Sequence, residues 1–218
     1  MRKFLRENSL SIVLFALFAL FMAGLAVAGY HNENEELANH QQTALTFGQY
    51  ITSASFGEAV FENWESEFLQ MGALVLLTIW FVQKGSADCK KLRGPNDVDT
   101  SSRYAIIRAG TARTRVKAIT RALYANSLSI ALFGLFILSL VFHALTGHEV
   151  ANQTAQQHHQ ELISLWQYVT SSQFWFESFQ NWQSEFLSVA AIVYLTVYLR
   201  QKGSAQSKPV DTPNDENE

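Results

Sequence analysis

Two copies of one short motif hold most of the side chains capable of chemistry. Asn63-Trp64-Glu65-Ser66-Glu67-Phe68-Leu69 is matched by Asn181-Trp182-Gln183-Ser184-Glu185-Phe186-Leu187. On a helix, residues four apart share a face, so Asn63 lies over Glu67 and Trp64 over Phe68, in adjacent polar and aromatic stripes. Asn181 with Glu185, and Trp182 with Phe186, repeat the pattern. Gln70 extends the polar stripe, as Ser188 does in the second copy. If these helices cross a bilayer, counting about twenty residues back from Gln83 puts Glu67 roughly 5 Å inside the hydrocarbon. An unpaired carboxylate there costs a few kcal/mol. Glu67 and Glu185 facing each other would form a cation or proton site. The alternative is that each reaches interfacial water and bonds to loop backbone or to the Asn side chains. The candidate binding residues are Asn63, Glu67, Asn181 and Glu185, with Trp64, Phe68, Trp182 and Phe186 as the structural part of the motif.

The other reactive residue types do not assemble into a site. Of the six histidines only His40 and His158 occupy matching positions in the two copies, and neither HxxxH nor HExxH spacing occurs. His158-His159 reads as a loop dipeptide and His143 as a lone residue on an apolar helix. No metal ligand set and no cofactor is expected. Cys89 is a single thiol, expected to be reduced and inert. No phosphate-binding glycine loop and no Gly-x-Ser-x-Gly is present, so no catalytic residue can be named. An enzyme is disfavoured, although intramembrane enzymes often lack such signatures.

The elements that position the motif are apolar runs. The 218 residues are 48% hydrophobic and 16% charged, and the charges are segregated rather than spread. That pattern excludes an ordinary water-soluble enzyme and a disordered chain, and one cysteine excludes a disulfide scaffold. Leu10–Ala28 carries no charge over nineteen residues, about 29 Å of helix and one hydrocarbon core. Leu128–Leu145 is a second such run. Phe68–Val82 and Phe186–Leu199 are shorter, and reach about twenty residues only if extended back through Trp64 and Trp182. Arg2, Lys3, Arg6 and Ala26-Val27-Ala28 would also suit a signal peptide. A near copy at Asn126–Leu145, inside the chain, favours an uncleaved first span instead.

The copies extend well beyond the motif. Asn8-Ser9-Leu10-Ser11-Ile12 returns as Asn126-Ser127-Leu128-Ser129-Ile130, an offset of 126 − 8 = 118. The same offset carries Tyr50 onto Tyr168 and Gln83-Lys84-Gly85-Ser86-Ala87 onto Gln201-Lys202-Gly203-Ser204-Ala205. Across 80 aligned positions, without a gap, about 36 are identical. The expected organisation is a first two-span repeat at 1–90, a basic cytoplasmic linker at 91–125, a second two-span repeat at 126–205 and a disordered acidic tail at 206–218. Two spans per repeat keep both copies the same way up, so the repeats are parallel.

All sixteen Lys and Arg fall outside 30–67 and 147–185, which hold eleven of the nineteen acids. By the positive-inside rule both termini and the linker are cytoplasmic and both acidic loops are outside. Within the loops, Leu37, Leu45, Gly48 and Ile51, and likewise Leu162, Trp166 and Val169, predict short amphipathic helices. Ser55 has the spacing to cap the helix that follows, and Asn8 or Ser9, with Asn126 or Ser127, the spans at the other side. Gly85 and Gly203 read as helix C-caps. In the linker, Arg108, Arg113, Arg115, Lys117 and Arg121 alternate with apolar residues, the pattern of an amphipathic helix on anionic inner-leaflet lipids. Nucleic acid is the disfavoured partner for these charges.

The paired Asn-Ser-Leu-Ser, Asn-Trp-x-Ser-Glu-Phe and Gln-Lys-Gly-Ser elements resemble a bacterial family of integral-membrane proteins of unknown function, over nearly the whole chain. The resemblance implies a bacterial inner membrane and carries no activity with it. The expected fold is an all-α membrane protein: four transmembrane helices as two parallel two-span tandem repeats, short helices in the outer loops and a basic linker helix. Three functions fit. One is a structural, interaction or envelope-stress protein acting through helix contacts with itself or a membrane-protein partner. Another is a small channel or carrier using Glu67 and Glu185, and the third is a membrane enzyme or redox subunit.

Overall fold

A computed structural model describes residues 2–87, 89–90 and 120–215. It is helical, with no strand among the described residues. The helices are α1 (Arg2–Glu7), α2 (Ser9–Asn39), α3 (Phe47–Ile51), α4 (Ala54–Trp80), α5 (Ser127–Gln157), α6 (Leu165–Val169) and α7 (Ser172–Tyr198). Residues 120–125 are helical as well. Every bound of α2, α3 and α4 recurs 118 positions later in α5, α6 and α7 (127 − 9, 165 − 47, 172 − 54). Two of the helices, α2 and α5, are long and apolar enough to cross a membrane.

α2 does not stop where its apolar run does. Its 31 residues span about 46 Å, more than one hydrocarbon core. The first ten residues of the expected loop, 30–39, are therefore a continuation of the helix, and α3 and α6 are only five residues each. Leu37 belongs to α2, and Leu45 and Leu162 lie outside the short helices. The start of each short helix is fixed by a capping box that the hydrophobic spacing did not show. Thr46 and Gln49 bond reciprocally, as do Ser164 and Gln167.

The chain forms two compact units, 1–61 with 142–174, and 62–141 with 175–218. In the first, the reversal after each long helix is built the same way twice. α2 ends on Gln41 (φ 57°), with Gln42 N–H on Leu37 O at 2.8 Å and Gln41 N–H on Ala38 O at 3.0 Å. α5 ends on His159 (φ 54°), with Gln160 N–H on Ala155 O at 2.8 Å and His159 N–H on Gln156 O at 3.2 Å. These are Schellman closures made without glycine. Asn34 then grips the returning chain: its Oδ1 accepts from Leu45 N–H at 2.7 Å and its Nδ2 donates to Leu45 O at 3.2 Å. Asn152 grips Ile163 with the same two bonds at 2.9 and 3.0 Å. Tyr50 and Tyr168, both buried, seat on Gly29 and Gly147.

The second unit holds the remainder of α4 and α7. Trp182 stands among Phe136, Trp175 and Phe179 with ring centroids 5.5–6.3 Å apart. Ser86 and Thr196 share a buried hydrogen bond of 3.2 Å. The described residues 206–215 are turned back by backbone acceptors. Lys208 Nζ donates to Pro213 O and Asn214 O (3.0 and 3.3 Å), and Arg200 donates to Thr212 O (3.0 Å). A buried ammonium requires such acceptors.

Three capping expectations change. Ser53, not Ser55, starts α4, its Oγ accepting from Phe56 N–H at 3.2 Å, and Ser171 does the same for Phe174 at 3.3 Å. Asn8 stands at the N-cap of α2 without a side-chain cap bond. Its Nδ2 turns back to Phe4 O (2.9 Å), as Asn126 does to Ala122 O (2.8 Å), Ser9 to Arg6 O (3.2 Å) and Ser127 to Tyr124 O (2.8 Å). The reason is that the backbone ladder runs on across Asn8 and Asn126, through Asn8 N–H to Phe4 O and Asn126 N–H to Ala122 O. Gly85 (φ +85°) and Gly203 (φ +84°) occupy the third position of turns closed by Ser86 N–H to Gln83 O and Ser204 N–H to Gln201 O, past the helix ends.

A Cβ on Gly147 would meet Tyr168 Oη and would stand 2.9 Å from Glu58 Oε1. Gly147→Ala is expected to lower stability in detergent by about 1–3 kcal/mol, the usual cost of overpacking. Tyr168→Phe added to it should restore part of the loss by removing the clashing oxygen. A thermal midpoint unmoved by Gly147→Ala would refute the seat.

Candidate functional site

The Asn-Trp-x-Ser-Glu motif of α4 and its copy on α7 lie together in the second unit, and the side chains they bring into contact differ from those the spacing suggested. The buried acid is Glu65, fully enclosed, while Asn63 and Glu67 are exposed. Trp182 Nε1 donates to Glu65 Oε1 at 2.9 Å and Asn181 Nδ2 donates to Glu62 Oε1 at 2.7 Å. The partner of Asn181 is thus Glu62, not Glu185. An enclosed carboxylate is costly unless donors replace its water, and an indole N–H, which only donates, is suited to that role. Hydrogen bonds to an ionised acceptor are about twice as strong as neutral ones.

Glu67 and Glu185 are brought within electrostatic reach of each other. Phe68 is half-buried and Phe186 exposed. Ser66 and Ser184 bond back to Asn63 O and Asn181 O, each at 2.8 Å, so the motif serine serves its own helix in both copies. Ser188 Oγ is likewise committed, to Glu185 O at 2.8 Å. The arrangement gathers Glu62, Glu65, Glu67 and Glu185 in one unit, with neutral donors on two of them.

Sequence reasoning missed Glu62 and Glu65. The signal was the comparison of the copies: Glu62 corresponds to Gln180 and Glu65 to Gln183. The first copy supplies carboxylates and the second supplies the donors that meet them.

His143 is fully buried in the first unit, its ring 5.0 Å from that of Phe174. His40 and His158, the matching pair, have ring centroids 6.1 Å apart in the same unit. Among the described residues no three or more His, Cys, Asp or Glu side chains are grouped to hold a metal ion. Cys89 Sγ accepts from Gln83 N–H at 3.4 Å. Of the linker cations, Arg108, Arg113, Arg115 and Lys117 lie outside the described residues, and Arg121 is exposed on the helical stretch 120–125.

Trp182→Phe would remove the indole donor from Glu65 while keeping a ring in place. It is expected to cost about 1–3 kcal/mol, the penalty for withdrawing a buried partner. Glu65→Gln in the same chain should recover part of that loss, because a neutral amide is cheaper to enclose. Denaturation in detergent reads both, and no rescue by Glu65→Gln would show that only ring packing had been lost.

No curated protein and no solved structure matches the chain. One family does, over residues 1–218, and the chain belongs to it: a domain of unknown function (DUF6766).

Proposed function

We propose that the chain is a four-span inner-membrane protein made of two parallel two-span repeats. Both termini and the basic linker are cytoplasmic, and the protein acts as a structural or interaction element, in an envelope-stress role or beside a membrane-protein partner or second copy. The observation that carries this reading is the surface of α2. Of its residues only Ala26 is buried, and Leu10, Phe15 and Phe21 are 72%, 72% and 69% exposed. Each such side chain gains about 1.5–3 kcal/mol on leaving water, so a helix wearing them outward needs hydrocarbon or another helix around it. The matching bounds of α4 and α7, and the cations confined to the two termini and the linker, support two further spans and a common orientation. Contact rather than catalysis is favoured because Asn181 and Trp182 of one motif are spent on acids of the other helix, Glu62 and Glu65. Arg121 and its four basic neighbours in sequence would hold the linker to anionic lipid.

Reporter fusions test the topology. Fusions after Asn39 and Gln157 should work only as exported reporters, and one after Ser207 only as a cytoplasmic reporter. The reverse pattern would overturn the scheme.

A second reading, a small channel or carrier, is favoured by the placement of Glu67 and Glu185 in one compact unit. Like charges near one another share protons or a cation readily. Proteoliposomes should then show cation or proton flux that disappears in the Glu67→Gln, Glu185→Gln double variant. Full flux in the double variant would eliminate the shared site.

A further inference from the structure

A cavity of about 480 Å³ opens in the first unit, lined by Glu33, Leu37, Gln42, Thr43, Leu45, Gln49, Ser53, Ser55, Gln153, Gln156 and Gln157. Its size falls among small-molecule sites, about 300–1,000 Å³. The wall is fixed by the reversal already described. Asn34 holds Leu45, the Thr46 cap holds Gln49, and Ser55 Oγ donates to Glu33 Oε1 at 3.2 Å.

Three features of the lining select a ligand. Among the described lining residues there is no lysine or arginine and Glu33 supplies the one carboxylate, which disfavours phosphates and carboxylates. The charge of Glu33 is felt inside the unit: burial, and then that carboxylate, push the Tyr50 phenol above its ordinary value. The side-chain amides of Gln42, Gln156 and Gln157 make no hydrogen bond to any described residue, and each presents both a donor and an acceptor. Gln49 spends its oxygen on Thr46 and keeps its NH₂. Paired donors and acceptors match hydroxyl groups, which are both at once. Leu37 and Leu45 offer a C–H surface beside them.

The repeat gives a separate argument. The parts that shape the reversal are the same in both copies: Asn34 and Asn152, Tyr50 and Tyr168, Gln49 and Gln167, Ser53 and Ser171. The lining is not. Glu33 corresponds to Ala151, Thr43 to Glu161, and Gln153 and Gln156 to Glu35 and Ala38.

We propose that this cavity binds an amine-bearing polyhydroxylated small molecule, an amino sugar, with the ammonium on Glu33 and the hydroxyls on the glutamine amides. The site does not depend on the number of spans or on Glu67 and Glu185, so its failure and theirs are distinguishable.

Calorimetry on the full chain in lipid nanodiscs, with D-glucosamine, D-glucose and glucose 6-phosphate as probes, tests it. Glucosamine should bind saturably, glucose about tenfold more weakly for want of the charge-assisted bond, and the phosphate not at all. Glu33→Gln should make glucosamine and glucose equal, and Gln156→Ala with Gln157→Ala should weaken both. Thermal midpoints equal to that of the parent would show that the variants fold. Absence of saturable glucosamine binding, binding of the phosphate, or affinities unchanged in both variants would overturn the proposal.

Discussion

The structure depends on how a polypeptide leaving a long apolar helix can turn round without stranding its backbone polar groups. Each reversal leaves the last carbonyls of the helix and the amides of the return strand in need of partners. A single asparagine answers most of this in each copy. Asn34 gives an acceptor and a donor to the N–H and C=O of Leu45, and Asn152 does so for Ile163. Only a carboxamide offers both groups in one plane at that reach. Aspartate would meet the N–H and repel the carbonyl. With the return chain fixed, the capping boxes set where α3 and α6 begin, and Tyr50 and Tyr168 close onto glycines that leave room for them.

The two copies then form an internal experiment. Where they agree, the residues serve the frame: Gly29 and Gly147, Asn34 and Asn152, Tyr50 and Tyr168, Ser53 and Ser171. Where they differ, the change is often one of charge or hydrogen-bonding type. Leu25 has become His143, Tyr30 has become His148, and the acids at 33, 62 and 65 have become alanine or glutamine. His148 shows the substitution being absorbed, since its Nε2 meets Ile163 O at 2.7 Å beside Asn152. Frame and chemistry have separated by position.

Much of the helical frame was legible before any coordinates, because the offset of 118 and the long uncharged runs are strong signals. The helix ends were less so. Ser55 has the spacing of a cap, but the bond to Phe56 N–H belongs to Ser53. Asn8 carries the right side chain for a cap, but its Nδ2 turns back to Phe4 O instead. The burial of Glu65 rather than Glu67 was hidden for a physical reason. Acids at 62, 65 and 67 sit at about 0°, 300° and 140° around the wheel, so no single polar face marks which one turns inward. The enclosed position is set by Trp182, a residue 117 places along the chain. Local periodicity cannot register such a partner.

That distant partner also bears on why the copies diverged. In the second unit the acids of α4 meet neutral donors from α7, Glu62 with Asn181 and Glu65 with Trp182. Two first-copy helices set against each other would gather twice as many carboxylates at these positions, and like charges at close range in low dielectric repel by several kcal/mol. Two second-copy helices would offer donors and glutamines but no charge to strengthen the bonds. The mixed pair keeps the carboxylate acceptors while bringing fewer like charges together. A polar contact of this kind, placed among apolar side chains, fixes which helix lies beside which and in what register, since sliding α7 by a turn would strand Glu65. Carboxylates at 62 and 65 opposite glutamines at 180 and 183 therefore favour the pairing of α4 with α7 over a pairing of like helices.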